Sequence, residues 1–239
     1  MEQIVFFWIG ENTQVPTLLV ASIRNCHGQD IKIIQVSDNE TKKINGVDEL
    51  IISELPKEIM TGRLKAYSKV DTVSNKTFFI DADSLMLNKI KFDNFSKGTY
   101  LTKRSKDFII NHHHPEYYPE FENKYISDVM PFLFGAIVIV NEGNIFSKLL
   151  EICMNLEMRF QRWYGDQVSL YNFYKKNNDY FSYLDQGKYL EIIDDNELIT
   201  KNYVKQKISE DKVFVTFKGN QDVKRIFKFL VYSEYLSKV

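Results

Sequence analysis

The chain has 239 residues, with 31 Lys plus Arg against 32 Asp plus Glu and a formal net charge of −1, which excludes binding that rests on broad neutralisation of nucleic-acid phosphates. Hydrophobic residues make up 44% and charged residues 26%, ordinary globular usage, and no apolar run reaches the ~18 residues that a membrane-spanning helix needs. Cys26 and Cys153 form no CxxC pair and have no local histidine partners, which speaks against a structural zinc site or a disulfide framework, and both read as reduced structural thiols.

Taken in chain order, apolar β-branched runs at 4–9, 31–36, 77–80, 99–102, 132–140 and 213–217 predict buried strands. The first of them is too short, and too poor in flanking basic residues, for a secretory signal, so the expected location is the cytoplasm. Pro16 suits the first turn of a helix over 15–26, apolar residues at helical spacing predict another over 142–163, and a third is expected over 166–176. No repeat, linker or low-complexity tract interrupts the chain, so one continuous domain over 1–239 is expected. Strands alternating with helices imply an α/β, Rossmann-like domain with a mostly parallel central sheet flanked by helices. Ligands of such sheets bind at the carboxyl ends of the strands, which here carry Trp8, Ile9 and Gly10, then Ser37 and Asp38, then Asp81, Ala82 and Asp83.

The third of these ends carries the chemistry. Asp81 and Asp83 stand two residues apart between hydrophobic runs, and in extended geometry residues i and i+2 share a face, so both carboxylates can serve one hard cation that also bridges diphosphate oxygens. Uncompensated, the two charges repel and cost several kcal/mol each by order of magnitude, so the pair calls for a metal or a basic partner. A solvated strand end with two ordinary surface acids is the bland alternative.

With its flanks, Lys76 to Asn88 resembles the DxD motif of GT-A-fold nucleotide-sugar glycosyltransferases, in which both acids serve Mn²⁺ or Mg²⁺ on a nucleoside diphosphate. Phe6-Phe-Trp-Ile-Gly10 with Pro16 resembles the opening of the DXD-containing capsular sugar transferases, whose first strand ends near the nucleotide. Thr61-Gly-Arg-Leu-Lys-Ala-Tyr67 is similar to the Arg-Leu helix of glycosyltransferase family 8, Gly165-Asp-Gln-Val-Ser-Leu-Tyr171 to its Gly-Asp-Gln segment, and Val215-Thr-Phe-Lys-Gly219 to its last His-Phe-x-Gly motif. Thr216 stands where that motif has His, and Phe134 and Gly135-Ala136 replace the polar start of the family's Asn-Ser/Ala-Gly strand.

The resemblance implies a GT-A domain with 1–100 as nucleotide-binding half and 101–239 as acceptor-binding half, and the inner face of the membrane is the alternative to a free cytoplasmic location. It implies a retaining transfer of a hexose from a UDP-sugar to a glycan or lipid-linked glycan of a bacterial cell surface. Asp81 and Asp83 would hold the metal, and Trp8, Ile9, Gly10, Asp38, Arg63, Ala82, Lys218 and Gly219 would line the donor. Lys218 would stabilise the leaving diphosphate, Asp166 would orient hydroxyls, and Gln167 would lie against the reacting carbon. Capping of the 166–176 helix is the other explanation of Asp166. Rival readings are a sugar-nucleotide pyrophosphorylase, whose Gly-rich basic loop is absent from 10–15, and a silent sugar-nucleotide or glycan-binding module, favoured by Thr216.

Three further features stand apart. His112, His113 and His114 are adjacent and cannot readily meet at one tetrahedral metal centre, so with Tyr117, Tyr118 and Phe121 they read as an acceptor-side loop. Lys103 and Arg104 read as solvated, with contact to an acceptor phosphate as the other reading. A last helix over 222–238 mixes basic and apolar residues, expected to pack on its own domain, with peripheral membrane contact as the alternative.

Overall fold

The computed structural model of the protein describes residues 1–110, 118–193, 198–217 and 222–237, with 222–227 described by backbone alone. Its strands are β1 (Glu2–Phe7), β2 (Lys32–Ser37), β3 (Glu49–Ile52), β4 (Lys76–Asp81), β5 (Ser84–Met86), β6 (Gly98–Lys103), β7 (Phe132–Val140), β8 (Phe181–Leu184), β9 (Glu191–Ile193) and β10 (Phe214–Phe217). The α-helices are α1 (Gln14–His27), α2 (Ile59–Tyr67), α3 (Ile126–Val129), α4 (Phe146–Met154), α5 (Met158–Arg162), α6 (Gly165–Lys176), α7 (Gln186–Tyr189), α8 (Lys201–Ser209) and α9 (Asp222–Leu236).

Seven strands form one sheet in the order β3-β2-β1-β4-β7-β6-β8, and a second sheet has the order β5-β10-β9. β1, β2, β3 and β4 run parallel, β7 runs antiparallel to both β4 and β6, and β8 pairs parallel to β6. β4 and β6 therefore end at the same edge. The order also makes β1 the switch point, with β2 on one side and β4 on the other, and in open α/β sheets a crevice opens beyond the carboxyl ends at that point.

The continuous apolar runs follow from burial on both faces. Ile4, Phe6, Phe78, Ile80, Ala136 and Val138 pack with Leu19 and Ile23 of α1, whereas Val5, Phe79, Ile137 and Ile139 pack with Leu64 and Tyr67 of α2, Phe146 and Leu149 of α4 and Leu170 of α6. Every residue of β7 is buried, as expected for a strand with a neighbour on each side and helices above and below. The second sheet has its own core, in which Leu85, Val215 and Phe217 meet Phe229 and Tyr232 of α9. The described part of the last helix thus packs on its own domain.

Two expectations change. The helix expected over 142–163 is two, α4 and α5, divided at Asn155 to Glu157. Extended geometry stops at Asp81, because Ala82 and Asp83 form a turn into β5, so strand alternation does not by itself bring Asp83 to the face of Asp81.

Candidate functional site

The carboxyl-terminal edge of the sheet begins with the segment after β1. Trp8 donates its backbone N–H to the Val36 carbonyl at 3.1 Å and accepts from Ser37 Oγ at 2.6 Å, so the first two strand ends are tied together. The Trp8 ring packs partly buried against the core, and the Gly10 N–H donates to Thr41 Oγ1 at 2.9 Å. Asp38 Oδ1 accepts from the backbone N–H groups of Thr41 at 2.8 Å and Glu40 at 3.2 Å. The Thr41 side chain, and then these amides, hold Asp38 below the usual carboxylate range. Asp38 lines a cleft of about 320 Å³ with Ile9, Leu55, Pro56, Ile59 and Gly62.

At the end of β4 the acid expected to bind a metal meets a basic partner. Arg63 on α2 donates from Nη1 to Asp81 Oδ1 at 2.9 Å, and its Nη2 pairs with Asp166 Oδ2 on α6. The guanidinium also lies over the Phe134 ring, 4.5 Å from its centroid. Asp166 is 0% exposed, so its counter-charge has to come from within the protein. It is not the helix cap: Tyr164 occupies that position, and Asp166 Oδ1 accepts from the Gln167 N–H at 2.7 Å. With both oxygens engaged and no exposed surface, Asp166 holds Arg63 here instead of offering an oxygen to substrate hydroxyls.

Backbone shape places α6. Tyr164 is left-handed at φ 66°, and a Cβ on Gly165 would stand 2.3 Å from the Phe160 carbonyl oxygen and 2.8 Å from Cys153 Sγ, so only glycine fits this junction. Gln167 follows with its Oε1 accepting from Arg104 Nη2 at 2.7 Å, and Arg104 Nε donates to the Met130 carbonyl at 2.8 Å. Lys103 is exposed as expected, but Arg104 is only partly so: burial lowers its pKa to about 10, still leaving it charged at neutral pH.

The sequence reading missed Arg104 as a partner of Gln167, and the part of Gly135. β7 bulges beside the site: Leu101 pairs with Ile137 but Thr102 with Leu133, so Phe134, Gly135 and Ala136 drop out of the ladder with β6, and the Ala136 carbonyl accepts instead from Thr102 Oγ1 at 2.8 Å. A Cβ on Gly135 would lie 2.5 Å from Asp81 Oδ2. Thr41, three residues beyond Asp38, was the one local signal, since an Asp followed by such a residue marks a side-chain-capped turn.

Among the described residues no group of three or more His, Cys, Asp or Glu gathers as a metal site. Asp81 still offers an oxygen that suits a hard divalent ion. Asp81 spends Oδ1 on Arg63, its Oδ2 accepts no hydrogen bond among the described residues, and Asp83 follows in the next turn. One or two carboxylates suffice for a cation that takes its other ligands from water and phosphate. Thr216 of β10 pairs with Ser84 of β5, one residue past Asp83, and Ala82, between the acids in sequence, is buried. Lys218 and Gly219 lie outside the described residues, as do His112, His113 and His114.

No family model matches the chain, and no curated protein sequence does. Solved structures do resemble it. A galactosyltransferase, LgtC, in complex with donor and acceptor sugar analogues superposes with TM-score 0.56 at 12% identity, over 99% of this chain and 96% of that one. A glycosyltransferase involved in glycosylation of the major capsid of PBCV-1 gives 0.56 at 11% identity, over 100% and 99%. The glycosyltransferase GlyE of Streptococcus pneumoniae TIGR4 gives 0.54 at 15%, over 100% of this chain and 63% of its own. At these identities the likeness establishes the fold, a GT-A-like α/β architecture.

Proposed function

We propose that this chain is a metal-dependent glycosyltransferase that moves a hexose from a UDP-sugar to a glycan acceptor of a bacterial cell surface, with retention at the anomeric carbon. The observation that carries the reading is Arg63 bridging Asp81 and Asp166, which joins the acidic strand end to the start of α6 beside the cleft that Asp38 lines. The shared fold of solved glycosyltransferases supports it.

On this reading the cleft takes the nucleoside, with Asp38 accepting a hydrogen bond from base or ribose through the oxygen not used by Thr41. Asp81 and Asp83 would hold Mn²⁺ or Mg²⁺, which supplies charge neutralisation to the departing diphosphate. Arg63 fixes Asp81, and Asp166 fixes Arg63, so the carboxylate is oriented before substrate arrives. Gln167, held through Oε1 by Arg104, would lie against the reacting carbon, where donor sugar and acceptor meet, and Lys218 would stabilise the leaving group.

A thermal-shift panel of nucleotides with and without Mn²⁺ tests this, because a ligand selective for the folded state raises stability by mass action. UDP is expected to raise Tm further with Mn²⁺ than without, and Asp83→Ala to remove the metal-dependent part. Failure of every nucleotide to move Tm would overturn the reading. A second reading, a sugar-nucleotide-binding module without catalysis, draws on the Arg63 contact that already occupies one oxygen of Asp81. UDP-sugar hydrolysis in Mn²⁺ separates the two.

A further inference from the structure

The two arginines of the site differ in what neutralises them. Arg63 is matched by two carboxylates, Asp81 and Asp166. Arg104 is anchored by neutral acceptors alone, the Met130 carbonyl on Nε and Gln167 Oε1 on Nη2, and among the described residues it has no carboxylate partner. Its remaining nitrogen, Nη1, makes no hydrogen bond among the described residues and keeps contact with solvent. Two fixed bonds hold the guanidinium in one orientation without cancelling its charge, and a largely buried cation so placed favours an anion at the open nitrogen.

Its place says which ligand. Arg104 directly follows β6, whose end lies at the same edge as the end of β4, and it reaches the donor acids only through Gln167, then Asp166 and Arg63. Four contacts, through Gln167, Asp166 and Arg63, therefore separate it from Asp81.

We infer that Arg104 is the receptor for an anionic group, a carboxylate or a phosphate, on the acceptor. This rests on the glycosyltransferase reading and narrows its acceptor to an acidic or phosphorylated glycan. The same guanidinium chemistry would suit a donor diphosphate, so the experiment separates the two sources.

The full chain, Arg104→Gln and Arg104→Lys are titrated calorimetrically with D-glucose, D-glucuronate and glucose 6-phosphate, each with and without UDP and Mn²⁺, and with UDP and Mn²⁺ alone. Wild type is expected to bind at least one charged sugar about tenfold or more tighter than glucose, the size of one charged hydrogen bond. Arg104→Gln should erase that preference and change UDP affinity by less than about threefold. Arg104→Lys, which keeps the charge but loses the planar fork, should retain part of it. If Arg104→Gln does not fold, Arg104→Lys decides, since a preference there equal to wild type overturns the inference. So does the absence of a charged-sugar preference in wild type, or its survival in Arg104→Gln. Loss of UDP affinity with sugar binding unchanged would instead assign Arg104 to the donor diphosphate. A charged-sugar preference that depends on Arg104, in a chain that does not bind UDP, supports the anion site and brings down only the donor reading.

Discussion

A guanidinium shared by two carboxylates, one of them sealed from solvent, is coupled to the fold far more strongly than a surface pair. Arg63→Ala leaves Asp166 buried without a counter-charge, and is expected to cost about 3–5 kcal/mol. Asp166→Asn in the same chain should recover most of that loss, because the orphaned charge is gone. Urea unfolding of wild type, the two single variants and the double variant measures the coupling, and strictly additive losses would refute it. Gly135 makes a second prediction at this scale. Its missing Cβ leaves room for Asp81 Oδ2, so Gly135→Ala should displace the carboxylate, cost about 1–3 kcal/mol by overpacking and abolish the Mn²⁺-dependent part of the UDP shift. Gly143→Ala, where an added Cβ meets nothing within 4 Å, is the control that should do neither.

At the scale of elements, the junction between α5 and α6 determines whether the site assembles. Apolar periodicity runs through 142–163 because Phe146, Leu149, Cys153 and Phe160 are all buried, and that periodicity is blind to the break after α4. The break turns the chain so that Tyr164 and Gly165 can start α6 with Asp166 facing Arg63. An alanine at Gly165 meets a backbone carbonyl and the sulfur of buried Cys153, and only the sulfur belongs to a side chain. Gly165→Ala should therefore cost about 3 kcal/mol or more, and thermal unfolding that shows less than Gly135→Ala would contradict this account.

Across the whole molecule, the pH response should pass through His27. It closes α1, is buried, and accepts from the Ile90 N–H on Nε2 at 3.1 Å, which ties the helix to the segment that follows β5. Burial, and then the charge of Lys89, hold its pKa below the ordinary 6.5. The neutral ring is the native form, so the unfolded chain binds more protons in the window between the lowered value and about 6.5. Stability is therefore full above about pH 6.5 and declines as pH falls through that window. His27→Gln should show a shallower decline than wild type between pH 7.5 and 5.5 in urea midpoints, and equal slopes would remove His27 as the cause.

The sequence by itself determined the alternation of strands and helices, the burial of the central strands on both faces, and the presence of Asp81 and Asp83 where a strand ends. Each of these is written in the spacing of neighbouring residues, which burial and backbone geometry read locally. The short strands β3, β5, β8 and β9 left no such trace, because each combines only two or three apolar residues with Glu or Ser, unlike the equally short β10. Only the tertiary structure decided that β7 runs against its neighbours, that Arg63 spans Asp81 and Asp166, that Gly135 makes room for a carboxylate, and that Arg104 holds Gln167. Those pairs are far apart in the chain and meet through sheet order and a bulge, so no local pattern encodes which charge will face which.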